Sequence, residues 1–117
     1  MIYYTEMETQ FLEALKSTPV KESALTAKIL AYLRSQGCYA VKWHGSVYGA
    51  GGMPDIYALV PSTPHAIPLH IEVKLPGNKP TPRQEKMLRD LRKTGAVAIW
   101  ADSVSTVQKL VETLQEE

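Results

Sequence analysis

Two apolar runs, "DIYALV" at 55–60 and "AIPLHIEVKL" at 66–75, are separated only by the proline-bracketed break "PSTP" and His65. With "CYAVKW" at 38–43 they form three strand-like segments in succession, which suggests an antiparallel meander. A fourth run, "AVAIWA" at 96–101, is reached only through a helical stretch, and a strand reached in that way pairs parallel to its neighbour. The chain is therefore read as α/β, with a mixed central sheet of about four strands flanked by helices.

The helices carry their own punctuation. Met7, Phe11, Leu12 and Leu15 have helical spacing before "STP" interrupts them. Thr18 and Pro19 read as the N-cap and first position of a second helix, with Leu25, Ile29, Tyr32 and Leu33 on one stripe and Gly37 at its end. Thr81, Pro82 and Gln84 spell a capping box for a third helix, in which Met87, Leu88 and Leu91 face the core and Gly95 follows the last turn. "SVSTVQKLVETLQ" closes the series behind a cap at Asp102 or Ser103. The 117 residues suit a single domain, 1–117, at a size where a dimer interface would be a useful addition.

Composition narrows the function classes. No apolar stretch approaches the roughly 20 residues that span a bilayer, and "MIYYTEMETQ" lacks both the basic and the apolar regions of a signal peptide, so the expected location is cytoplasmic. Cys38 has no partner cysteine in the sequence and reads as a small buried side chain. A net charge of +1 carries no overall signature of nucleic-acid binding. Locally, however, Lys74, Lys79, Arg83, Lys86, Arg89, Arg92 and Lys93 face only Glu85 and Asp90. That stretch suits a phosphate backbone, and equally a solvated helix face held by pairs at spacing three and four.

The chemistry-bearing residues gather around two strands. In "HIEVKL" the strand period presents His70, Glu72 and Lys74 on one face. Asp55 opens the preceding strand after "GGMP", where it reads either as a turn residue or as a carboxylate brought beside Glu72 by strand pairing. Two carboxylates and an ammonium so placed can hold a hard divalent cation and set a positive charge beside a bound water or phosphate. Glu22 lies on the sheet-facing stripe of the second helix, as a ligand or as a first-turn acid favoured by the helix dipole. Gln84 is a helix cap or a group that orients water or phosphate. "GSVYGAGG" fits no nucleotide-binding fingerprint. Its flexibility suits a close-lying substrate, with Lys42, His44 and Tyr48 as phosphate or base contacts.

Taken together, Pro54-Asp55, then Glu72-Val73-Lys74, and an upstream helical Glu22 resemble the PD-(D/E)xK nuclease superfamily. More narrowly, "GGMPD", "EVKLPGNKPTPRQ" and "LRKTGA" are similar to the virus-type replication-repair nuclease (VRR-nuclease) branch, over residues from about Glu22 to Trp100. The resemblance implies a restriction-endonuclease-like core in which Glu22, Asp55, Glu72 and the Val73 carbonyl bind Mg²⁺ or Mn²⁺. It implies that Lys74 supports the attacking water, and Gln84 matches a glutamine that family members carry in the following helix. Short stand-alone members resemble junction resolvases and act as homodimers.

The expectation from these readings is a single nuclease domain, a metal-dependent structure-specific DNA endonuclease that resolves four-way (Holliday) junctions as a homodimer; the resemblance implies that cleavage leaves a 5′-phosphate. Lys42, His44, Tyr48, Lys79, Arg83, Lys86 and Arg89 are the expected DNA contacts. The alternatives are a flap or restriction-like nuclease of the same fold, or a non-catalytic DNA-binding or assembly module.

Overall fold

A computed structural model describes residues 5–7, 21–43 and 53–116. Helix α1 spans Glu22–Ser35, strand β1 Tyr39–Lys42, β2 Ile56–Val60, β3 Ile67–Val73, helix α2 Pro82–Lys93, strand β4 Val97–Ala101 and helix α3 Val104–Gln115. The strands lie in the order β1-β2-β3-β4. β1 pairs antiparallel with β2, and β2 antiparallel with β3. β3 pairs parallel with β4. The mixed sheet expected from the order of segments is the sheet observed. Of the first expected helix, over about 6–16, only the opening residues 6–7 fall within the described chain, and they are helical.

The local signals act where they stand in the sequence. Thr81 Oγ1 accepts from the Gln84 backbone N–H, and the Gln84 side chain accepts from the Thr81 N–H, with Pro82 in the first turn. Ser103, rather than Asp102, caps α3 by accepting from the Thr106 N–H. Gly37 and Gly95 follow α1 and α2 at φ of +82° and +94°, where a side chain would be strained. One boundary differs. α1 begins at Glu22 behind an extended Lys21 that offers no side-chain cap, so the helix lacks the expected Thr18 start. Thr18 and Pro19 themselves lie outside the described residues.

Alternation along the strands divides the sheet into two unlike faces. Ile56, Ala58, Val60, Leu69, Ile71, Val73 and Ala101 point to one side, where Ile29, Leu30 and Leu33 of α1 and Val107 and Val111 of α3 cover them. Each large aliphatic side chain buried there contributes about 1.5–3 kcal/mol. Cys38 joins this core, and burial pushes its thiol pKa up, as suits a packing residue rather than a nucleophile. The opposite face carries Asp55, Tyr57, His70, Glu72, Ala98 and Trp100. α2 covers its β3–β4 half, with Leu88 and Ala98 both buried. The β1–β2 half of that face has no described helix over it. No helix among the described residues is long and apolar enough to cross a membrane.

Candidate active site

The β2–β3 register decides the site. Ile56 pairs with Ile71 and Tyr57 with His70. One further step along the same ladder sets Asp55 opposite Glu72, where cross-strand Cβ atoms stand about 4.5–5.5 Å apart. Asp55 is held at both ends. Its carbonyl accepts the Trp43 N–H at 2.7 Å, continuing the β1–β2 ladder, and its Oδ2 accepts the Val73 N–H at 2.8 Å. The carboxylate is thus fixed onto the strand that carries Glu72.

Glu72 is a buried acid, with 4% of its surface exposed. Its Oε1 accepts from Gln84 Nε2 at 2.9 Å. Its carboxyl is raised to about 7, first by burial, then by the charge of Asp55 and hydrogen bonding with it, with a smaller push from Glu22; Lys74 works in the opposite direction. A buried group with two negative neighbours and one positive one is short of positive charge. Burial also lowers the pKa of His70, two residues earlier on the same strand face.

Gln84 fills both of the roles that its sequence position left open. Its Oε1 accepts the Thr81 N–H at 2.9 Å, closing the capping box, while its Nε2 donates to Glu72. The N-terminus of α2 is therefore tied to the floor of the site by a single amide. Lys74 follows β3, where its backbone N–H donates to the Ala101 carbonyl at 3.0 Å and its charge acts on Glu72.

The donor set suits a hard cation. Mg²⁺ is commonly held through one or two carboxylates, with water and substrate phosphate oxygens completing its shell, and Asp55 and Glu72 are such a pair. Among the described residues no three His, Cys, Asp or Glu side chains stand together closely enough to cage an ion. Glu22, half-buried at the start of α1, bears on Glu72 through its charge. Val73 contributes its backbone N–H to Asp55, and its side chain belongs to the core on the other face.

Of the expected DNA contacts, five lie within the described residues. Lys42 is exposed at the end of β1, and Lys79, Arg83, Lys86 and Arg89 are exposed in the loop before α2 and along that helix. Lys86 Nζ meets Asp90 Oδ2 at 2.8 Å, so the pairing of a solvated helix face is present beside the basic stretch. Arg92 turns inward, its Nε donating to the Ala98 carbonyl at 2.6 Å. His44 and Tyr48 lie outside the described residues. Trp43, Met53, Pro54, Tyr57 and His70 line a cavity that sequence reasoning did not anticipate. The signal for two of them was the strand period itself, which puts Tyr57 beside Asp55 and His70 beside Glu72 on the site face.

Among solved structures, one described as "VRR_NUC domain" superposes with a TM-score of 0.66 at 27% identity, over 80% of this chain and 97% of its own. That likeness supports a VRR-nuclease family domain in this chain. A second structure, "VRR_NUC domain protein", gives a TM-score of 0.62 at 20% identity over 80% of this chain and 86% of its own, and supports the same fold. No family model and no curated protein matches the sequence. The VRR-nuclease likeness accounts for the architecture seen here, a mixed four-stranded sheet with three described helices.

Proposed function

We propose that this VRR-nuclease domain is a metal-dependent DNA endonuclease that cuts branched DNA, four-way junctions foremost, as a homodimer. The observation that carries the reading is the convergence of Asp55, Glu72 and Gln84, with Lys74 close enough for its charge to be felt, on the face of a nuclease-type sheet that lies away from its main core. Asp55 and Glu72, with the Val73 carbonyl beside them, are the groups that would hold Mg²⁺ or Mn²⁺, and Glu22 deepens the negative potential there. When bound, such an ion supplies a lowered pKa for water and polarisation of the scissile phosphate.

The chain's own residues perform the remaining work. The Val73 N–H fixes the orientation of Asp55, and the Gln84 amide fixes Glu72. Lys74 places a positive charge beside the pair, where it orients the attacking water and offsets charge that develops on the phosphate. Lys79, Arg83, Lys86 and Arg89 offer the backbone of a DNA strand a basic path that leads toward Glu72. Joining two such helices in a dimer would reinforce a charge that is weak for one chain, and two sites suit the two strands of a junction.

Cleavage of a labelled four-way junction, beside linear duplex and flap DNA, in Mg²⁺, in Mn²⁺ and with chelator, tests this reading. Wild-type protein is expected to cut the junction only with metal, and Lys74→Ala to bind it without cutting. Cutting of another substrate, lost in the same variant, would keep the site and replace the substrate. Binding with no cutting in either metal would leave a non-catalytic DNA-binding module.

A further inference from the structure

The cavity between Trp43, Met53, Pro54, Tyr57 and His70 has a volume of about 160 Å³ and opens on the site face of the sheet. Its lining is apolar and aromatic, which is unusual on a surface otherwise set out for phosphate. The Tyr57 and His70 rings lie against one another, their centroids 5.3 Å apart and their planes tilted by 54°. Trp43 and Met53 are both about half exposed at its rim.

The position of this cavity is dictated by the same register that builds the carboxylate pair. Pro54 immediately precedes Asp55, Tyr57 follows it by two residues, and His70 precedes Glu72 by two. Two residues of strand measure about 6.7 Å, which is on the order of one nucleotide step along an extended strand. A phosphate held through a cation at Asp55 and Glu72 would therefore have the cavity within reach of an adjoining base.

We infer that this cavity is a nucleobase subsite, which takes one unpaired base next to the scissile phosphate by stacking it against Trp43 and the Tyr57–His70 pair. The inference rests on the reading of Asp55 and Glu72 as the cleavage site. A base inside an intact duplex cannot enter, because both of its faces are already stacked and its edge is paired. A base at a junction centre, a flap or a bulge can enter at small cost. The pocket has few polar groups to read a base edge, so it selects for the presence of a base and for its freedom to unstack rather than for its identity. It would thereby supply a preference for branched over linear DNA without any sequence-reading domain.

The test is a double-mutant cycle between protein and DNA. Junction or bulged DNA with a base at the unpaired position next to the cut is compared with the same DNA made abasic there, using wild type, Trp43→Leu and Met53→Ala. Binding is measured with chelator present and cleavage in Mg²⁺. Wild type is expected to favour the base-bearing DNA by roughly five- to a hundredfold, the value of one base stacked on an aromatic group, and Trp43→Leu to lose most of that preference while still cutting both DNAs. Met53→Ala, a smaller change at the exposed rim, is expected to lose part of it. Equal handling of base-bearing and abasic DNA by the wild type, or a preference that survives in both variants, overturns the subsite. Loss of cleavage in Lys74→Ala would still stand in that case, so failure of the subsite is distinct from failure of the nuclease reading.

Discussion

Gln84 Nε2 donates to Glu72 Oε1 at 2.9 Å while the Oε1 of the same side chain accepts the Thr81 N–H that opens α2. One amide thus performs two tasks, and they separate under substitution. Gln84→Ala removes both, costing about 0.5–1 kcal/mol of stability through the cap and roughly 10–100-fold in metal affinity or cleavage through the loosened Glu72. Gln84→Glu keeps a capping-box acceptor but sets a carboxylate against Glu72. Its melting temperature at pH 5 should stay near that of wild type while cleavage falls as in Gln84→Ala. Thermal melts run beside single-turnover cleavage distinguish the two effects.

Asp55 is likewise tied to both the fold and the chemistry. Asp55→Asn retains an oxygen for the Val73 N–H but loses the charge, so it should fold as wild type does and bind Mg²⁺ weakly. Asp55→Ala also strands the Val73 N–H, at a cost of about 1–3 kcal/mol. Chemical denaturation should rank wild type and Asp55→Asn together and Asp55→Ala below them, with both variants inactive.

The Glu72 carboxyl, raised from 4.5 to about 7 in the folded chain, predicts how the metal-free protein responds to pH. The folded state holds this proton more tightly than the unfolded state, so the contribution of Glu72 to stability is greatest below about pH 4.5, declines as pH rises, and levels off above about 7. The loss is roughly 2–3 kcal/mol for this one group. Glu72→Gln keeps an acceptor for Gln84 and cannot ionise. It should flatten the decline and make the chelated protein more stable than wild type at pH 8, at the expense of cleavage. Added Mg²⁺ should restore wild-type stability at pH 8 and leave Glu72→Gln nearly unmoved. Melting curves at pH 5 and pH 8, with and without metal, are the measurement.

The basic side of α2 should behave as a binding surface for the DNA backbone. Replacing Arg83, Lys86 or Arg89 with alanine is expected to weaken DNA binding on every sequence and to lower the salt slope by about 1 for each phosphate that is no longer neutralised. Lys86 gives up its 2.8 Å pairing with Asp90 to reach a phosphate, which reduces its effect. Unchanged affinity and slope across all three would remove α2 from the interface.

Much of the architecture is legible from order and local chemistry. The meander, the parallel fourth strand, the capping box at Thr81 and Gln84 and the helix ends at Gly37 and Gly95 each depend on residues a few positions apart, and the structure follows them. The start of α1 departs from its local signal because a Thr-Pro pair upstream is a good cap in isolation, whereas the helix begins at Glu22 behind an uncapped Lys21. Asp55 and Glu72 stand out as carboxylates in apolar strand contexts. Their adjacency is a matter of register, which pairing across 17 residues decides and local pattern does not.

Which segments become helix and strand, which strand runs parallel, and which acids are out of place in a core can all be read along the chain, because they are consequences of period, turn residues and burial preference within short windows. It takes the folded sheet to make Gln84 hold Glu72 while capping its helix, to tie Asp55 to the Val73 amide, and to bring Trp43, Tyr57 and His70 around one cavity beside them. These interactions join residues between 12 and 27 positions apart. They exist because a sheet with its core on one face leaves the other face to be shared by whatever polar and aromatic side chains the register brings into line.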